Sequence, residues 1–453
     1  MTKNLTVGNP ALLIFSFAVP LLVGNLFQQF YNMADAFIVG DTLGMDALAA
    51  VGCTGSINFL ILGFMMGFTQ GASIVTSQRF GGSDAPGVRR SFGASALLGA
   101  GVTAGLMAVS VTSARPLLVF LRTDPKILDA AYSYIIVIYW GLPATLVFNL
   151  CSNMMRAVGD SVTPLIFLVI ACIINIALDY AFIRGFHTGV EGAAYATVIA
   201  QVIAGLLCIP VIARKLPILR LTKADWKPDR KELWEHFRVA MPMGFQMSII
   251  AIGVVSVTFA LNGLGIAAVA AFTAGQKIDM VAGMPLSSFG AAMTTFTAQN
   301  YGAQKISRIR QGVAQCCLMS CAFSVFMGVL FFLAGDKFAA VFLKEEASAV
   351  ALAHTYLKIT GSFYILLACL FIFRQSLQGL GDSLVPTIAG VVELAMRTFA
   401  AIILTRYFGF AGLCFASPLA FFGACVPLTI AIVLTLKRLA RKSLAEKKLP
   451  NQP

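Results

Sequence analysis

The chain has 453 residues, 58% hydrophobic and only 12% charged, with a mean hydropathy of +0.84. Ordinary soluble domains carry about 25% charged residues, so this composition excludes a soluble globular protein and predicts a polytopic membrane protein. The net charge of +13 does not indicate nucleic acid, because the basic residues lie between apolar runs and not on one face; they suit topology signals and anionic headgroups.

Apolar runs of about 20 residues or more predict twelve spans, near 9–37, 46–77, 91–112, 128–155, 163–185, 190–213, 236–261, 267–299, 311–334, 348–374, 385–405 and 410–436. The first run begins after Lys3, outlasts the apolar core of a signal peptide and continues into a polar stripe, so it is expected to be a span and not a cleaved leader. With alternate loops inside, the inner segments hold 23 Lys and Arg residues and the outer ones 7. Both termini are therefore expected in the cytoplasm.

Span one carries the most informative stretch, PLLVGNLFQQFYNMADAFIVG at Pro20–Gly40. At 100° per residue, Asn25, Gln28, Asn32 and Asp35 fall within about 80° of arc, a polar stripe ending in a carboxylate. A charge near the bilayer centre costs roughly 2.5–3.5 kcal/mol and usually faces a cavity or protein interior, where it has a task. Pro20 lies about 22 Å from Asp35 along the axis and permits a bend. Phe27 and Tyr31, like Met280 and Met284, are expected to be core or lipid-facing, with the lining of a greasy, adaptable cavity as the alternative.

On span five, Asn175 and Asp179 share a face, and Thr197 on span six lies at similar depth. Two carboxylates, an amide and a hydroxyl can meet there, as hard oxygen ligands for Na⁺ or as a pair sharing a proton. The linker RKLPILRLTKADWKPDRKELWEHFR at Arg214–Arg238 is basic and bears Trp; it is expected to lie on anionic headgroups, as is the basic tail 437–453.

The chain repeats. AVP at Ala18–Pro20 recurs as AMP at Ala240–Pro242, and SQRFG at Ser77–Gly81 as AQNYG at Ala298–Gly302. GDSVTP at Gly159–Pro164 recurs as GDSLVP at Gly381–Pro386, and GVEGAAYAT at Gly189–Thr197 as GFAGLCFAS at Gly409–Ser417. Displacements of 220–222 predict two copies of a six-helix unit: lobes at 1–213 and 236–436, a linker at 214–235 and the tail. Six is even, so both copies enter from the same side, related by an axis along the membrane normal, which suits alternating access to a site between two bundles.

The second copy lacks the carboxylate site, because Val257 and Ala401 stand at the positions of Asp35 and Asp179. It carries Gln276, Lys277 and Asp279 on span eight, and Glu393 with Arg397 on span eleven. The last two are spaced i, i+4 with the acid first, which favours a structural ion pair; with Asn32, Gln276 and Asp279 they are also candidates for substrate binding or gating. The Gly-Asp-Ser turns read as helix caps with Pro in the first turn. GLGD at Gly379–Asp382 matches an intramembrane protease string, but its repeat copy at Ala157–Asp160 marks a structural turn.

Ten cysteines form no C-x-x-C pair, and His187, His236 and His354 have no partner at ligand spacing. Neither a disulfide frame nor a dedicated metal centre is expected. No shared face carries a nucleophile, a base and a metal set, so no enzyme is expected.

These residues resemble the multidrug and toxic compound extrusion (MATE) transporters over essentially the full length, and look like the bacterial MepA-like branch. The resemblance is carried by Pro20 with NMADAFIVG around Asp35, RAVGDSVTP at Arg156–Pro164, NIALD at Asn175–Asp179, GVEGAAYATVI at Gly189–Ile199 and QNYGA at Gln299–Ala303. It implies antibiotic-type multidrug efflux of cationic or amphipathic compounds against inward H⁺ or Na⁺, with no cofactor. It also implies a coupling site at Asp35, Asn175, Asp179 and Thr197, bending at Pro20, and a monomer in a lipid bilayer. Some members place an essential acid on span seven; here MPMGFQMSIIAIGVVSVTF carries Gln246 and no acid, so coupling is expected in the first lobe. A flippase for lipid-linked saccharides and a passive channel are the alternatives.

Overall fold

The computed structural model describes residues 3–343 and 346–448; the end of the basic tail, 449–453, lies outside the described residues. Among the described residues the chain is helical throughout, with no strand. The helices are α1 (Pro10–Leu43), α2 (Met45–Gly81), α3 (Ala85–Phe120), α4 (Pro125–Trp140), α5 (Leu142–Ala157), α6 (Val162–Asp179), α7 (Val190–Lys215) and α8 (Arg230–Asn262). There follow α9 (Ile266–Gly302), α10 (Ile306–Leu343), α11 (Ala347–Ser362), α12 (Tyr364–Gly379), α13 (Leu384–Phe399), α14 (Thr405–Cys414) and α15 (Ala416–Lys448).

Among the described residues nine helical runs are long and apolar enough to cross a bilayer, and the bent pairs α4–α5 and α11–α12 bring the number to eleven; in lipid each such helix satisfies its own backbone hydrogen bonds. The span expected at 267–299 corresponds to α9, which is 37 residues long and carries Lys277 and Asp279. Several helices outrun the apolar stretches: α10 has 38 residues, ~57 Å at 1.5 Å per residue against a hydrocarbon core of ~30 Å.

The repeat is written into the backbone as well as the sequence. The α4–α5 and α11–α12 pairs bend by 48° and 49°. A π-helical turn follows α6 at Tyr180–Gly185 and another follows α13 at Ala400–Leu404. Positive φ recurs at Gly44 and Gly265, at Ser83 and Gln304, and at Gly159 and Gly381 (+87° and +88°). Only glycine adopts this last conformation freely, which explains the Gly of both Gly-Asp-Ser turns. The cap is the Asp in each: Asp160 Oδ1 accepts from the Thr163 amide at 3.0 Å and Asp382 Oδ1 from the Val385 amide at 3.3 Å.

Two compact units are present. The first comprises Met1–Asn4 and Val23–Ser248, the second Leu5–Leu22 and Ile249–Pro453. Both α1 and α8 are thus shared, with α1 passing from one unit to the other just after Pro20.

Within the first unit, α8 approaches α2 closely: a Cβ on Gly71 would lie 2.7 Å from Cα of Ala240, so a small residue is required there. Arg79 at the end of α2 ties down the start of α8 through Glu232 at 2.6 Å and Glu235 at 2.9 Å. In the second unit the corresponding end of α9 holds the segment before α1. Gln299 Oε1 accepts from the Leu5 amide at 3.0 Å, and Asn300 Nδ2 donates to the Leu5 carbonyl at 3.2 Å. The repeated Gln-Arg and Gln-Asn strings therefore do the same mechanical job with different chemistry.

Candidate functional site

Six helices of the first unit, α1, α2, α4, α5, α6 and α7, converge around Asp35. The second half of α1 supplies Gln28, Tyr31, Asn32 and Asp35 to the wall of a cavity of about 200 Å³, which Asn58, Tyr134, Thr145, Asn149, Thr197 and Gln201 also line. Gln28, Asn32 and Asp35 of the span-one polar stripe thus face a protein cavity, as the cost of exposing polar side chains to hydrocarbon requires. The cavity is smaller than the ~300–1,000 Å³ typical of small-molecule sites, so in this shape it matches an ion and not a drug-sized compound.

Asn175 and Asp179, one turn apart on α6, are fully buried behind that wall. The Asp179 carboxyl group is the immediate neighbour of that of Asp35, within electrostatic and hydrogen-bonding reach. Neither oxygen of Asp179, nor Oδ1 of Asp35, nor Oδ1 of Asn175 closes a well-formed hydrogen bond among the described residues. Thr197 on α7 receives two contacts: Asn175 Nδ2 donates to its Oγ1 at 3.4 Å, and the Tyr31 hydroxyl lies 3.0 Å from it.

Sequence reasoning placed Asp35, Asn175, Asp179 and Thr197 at similar depth, and in the structure they form one cluster. It did not give the contact of the Tyr31 hydroxyl with Thr197, since Tyr31 reads there as core, lipid-facing or lining an apolar cavity, and it did not single out Tyr134. The available signal for Tyr31 was its spacing, one helical turn before Asp35 on the same face. The start of the π-helical turn at Tyr180, next to Asp179, was also not legible, although such turns favour functional sites.

Buried oxygens without partners carry a desolvation cost of about 1–3 kcal/mol each, more when charged. Two adjacent carboxylates in low dielectric also repel. A proton shared between them, or a hard monovalent cation held with Asn175 Oδ1 and Thr197 Oγ1, relieves both penalties. The donor set is all oxygen, which fits Na⁺ or H⁺ and offers nothing to a soft metal. No group of three or more His, Cys, Asp or Glu side chains suited to a metal occurs among the described residues.

The remaining candidates lie in the second unit and are differently satisfied. Glu393 is gripped by two guanidinium groups, Arg397 Nη2 at 2.8 Å and Arg374 Nη2 at 2.6 Å. The first is the predicted i, i+4 pair; Arg374, on α12, was not foreseen. Asp279 accepts from the hydroxyls of Tyr364 at 2.5 Å and Tyr356 at 3.4 Å, while Gln276 is exposed. At the positions equivalent to the acidic pair, Val257 and Ala401 are buried in an apolar core.

The MatE family model matches residues 20–181 and again residues 242–403, so each repeat matches separately. The chain is 27% identical over 395 residues to the "Probable multidrug resistance protein YpnP" of Bacillus subtilis, covering 86% of this chain and 87% of the relative. It is 24% identical over 403 residues to the "Multidrug export protein MepA" of Staphylococcus saprophyticus, covering 88% of each. A crystal structure of MATE in complex with MaL6 superposes with a TM-score of 0.90 at 22% identity, covering 97% of this chain and 100% of that one. It shares the fold.

Proposed function

This chain belongs to the MATE family of multidrug transporters, and from that premise we propose that it is a secondary active antiporter exporting cationic or amphipathic compounds. Inward H⁺ or Na⁺ drives it, and Asp35 and Asp179 bind the coupling ion. Asn175 and Thr197 complete the site, Tyr31 orients Thr197, and α1 bends at Pro20 as the ion comes and goes. No cofactor and no covalent chemistry enter. The two six-helix lobes alternate access as a monomer in a bacterial inner membrane, with both termini in the cytoplasm, and the drug occupies a wider state of the cavity.

The observation that carries this reading is the pair of adjacent carboxyl groups in which both oxygens of the buried Asp179 and Oδ1 of the half-buried Asp35 find no hydrogen-bond donor among the described residues. A passive channel has no use for such a site. A flippase for an anionic lipid-linked saccharide would want cations in its cavity, and the walls around Asp35 contain none.

The test is reconstitution in liposomes with a proton gradient or a Na⁺ gradient imposed separately, recording transport of a cationic dye. One gradient is expected to drive uptake, and Asp35→Asn to abolish it. Full activity in Asp35→Asn, or dye flux indifferent to both gradients, overturns the proposal.

A further inference from the structure

A second cavity, remote from the acidic pair, lies where the linker between α7 and α8 folds back over the first unit. It is a groove of about 580 Å³ between α3, α5 and α7, roofed by residues 219–226. Its walls present Leu97, Val147 and Ile209, all large apolar side chains that are 36–50% exposed. Leu221 and Trp226 also line it, and Arg220 supplies the only charged side chain of the lining. Arg220 and Trp226 are exposed, so the apolar lining is joined by an indole and a guanidinium that reach solvent.

The charge around the groove is unbalanced by construction. The four acids of the linker region are engaged within the protein. Asp225 accepts from the Thr222 amide and hydroxyl at 2.7 and 2.6 Å and faces Arg89 at 3.9 Å. Asp229 caps α8 by accepting from the Glu232 amide at 2.7 Å, and Glu232 and Glu235 both serve Arg79. By contrast Arg220, Lys223, Lys227, Arg230 and Lys231 are exposed. None of them joins an ion pair among the described residues. The linker therefore presents uncompensated cations beside an apolar slot, at the surface where two spans leave the bilayer.

We propose that this groove is a binding site for an anionic glycerophospholipid of the adjoining leaflet. An acyl chain lies along Leu97, Val147 and Ile209, and Arg220, with Lys223 beside it in sequence, receives the phosphate. Arginine suits this task because its planar donors pair two phosphate oxygens at once, and Trp226 sits where indoles favour the interface. The volume falls in the ~300–1,000 Å³ range of small-molecule sites. The bound lipid ties the linker to α3, α5 and α7, so the inference concerns the anchoring of the linker and is independent of the coupling ion.

The experiment uses the full chain with Trp140→Phe and Trp234→Phe, which leaves Trp226 as the only tryptophan, in vesicles containing acyl-brominated phosphatidylglycerol or phosphatidylcholine. Quenching of Trp226 is expected at lower mole fraction of the anionic lipid, by about fivefold for each linker cation engaged. Arg220→Gln is expected to remove about fivefold of that preference, Arg220→Lys to keep part of it, and Ala100→Phe, which fills the groove, to weaken quenching by both lipids. Arg220 and Ala100 are exposed, so these variants should fold, which monodisperse elution verifies. Equal quenching by the two lipids, a preference that survives Arg220→Gln, or relief of quenching by a cationic dye would each overturn the assignment. The last would make the groove a vestibule for exported compounds.

Discussion

Tyr31 on α1 and Thr197 on α7 are 166 residues apart in sequence, and their hydroxyls lie 3.0 Å from each other. Thr197 also accepts from Asn175, so the contact fixes the direction in which the Thr197 lone pairs point. Tyr31→Phe should cost about 1 kcal/mol of ion affinity, read as a roughly fivefold rise in the H⁺ or Na⁺ concentration for half-maximal transport with the maximal rate kept. An unchanged concentration dependence would remove Tyr31 from the site.

Asp35 and Asp179 act as one unit if they share an ion. Asp35→Asn and Asp179→Asn should each abolish gradient-driven dye transport, and the double variant should be no worse than either, since groups that act together are strongly non-additive. Substantial residual transport in Asp179→Asn would separate the two residues, leaving Asp179 a packing group of α6.

Pro20 interrupts the backbone ladder of a helix that continues from Pro10 to Leu43. Pro20→Ala restores an N–H and should stabilise the helix by up to about 3 kcal/mol. The expectation is a folded protein with equal or higher thermal stability whose gradient-driven transport is lost. Normal transport in this variant would make Pro20 a static kink.

Glu393 pairs with Arg374 and Arg397 at once. Glu393→Gln removes the counter-ion of the buried Arg374 and the half-buried Arg397 and should destabilise the fold by about 3–5 kcal/mol, measured by thermal unfolding in detergent. Adding Arg374→Met and Arg397→Met should recover most of that loss. If Glu393→Gln alone retains full stability but loses transport, the cluster belongs to gating and not to packing.

Asp225, in the linker, is held below the usual carboxylate range: burial opposes the charge, but the Thr222 donors and nearby Arg89 and Arg90 outweigh it. A depressed value means its contribution is complete above the unfolded pKa of about 3.9 and disappears as pH falls through the lower folded value. Amide hydrogen exchange of residues 222–226 should therefore be equally protected from neutral pH to about 5 and lose protection only below about 3.9. In Asp225→Ala protection should be reduced at neutral pH already, by about 0.5–2 kcal/mol. A flat profile through the acid range would contradict the cap.

The number of spans and the two-copy plan were legible because both depend on local quantities, apolar run length and repeated strings. The acidic cluster was legible for a related reason: a carboxylate inside a span is so costly that its presence alone implies a partner. What escaped were residues whose role depends on distance through space. Tyr31 looks apolar along α1, and its hydroxyl acquires meaning only where α7 passes. Arg374 lies 19 residues from Glu393, outside any helical spacing rule. The linker groove needed the fold-back of residues 219–226, which composition cannot foretell.

Because α1 and α8 are each divided between the two units, the chain cannot be cut into its compact parts at one point. The stretch before and including Pro20 belongs to the second unit, while the start of α8 belongs to the first. Proteolysis in the linker between α7 and α8 would therefore leave two fragments, each carrying a helical segment that packs with residues of the other.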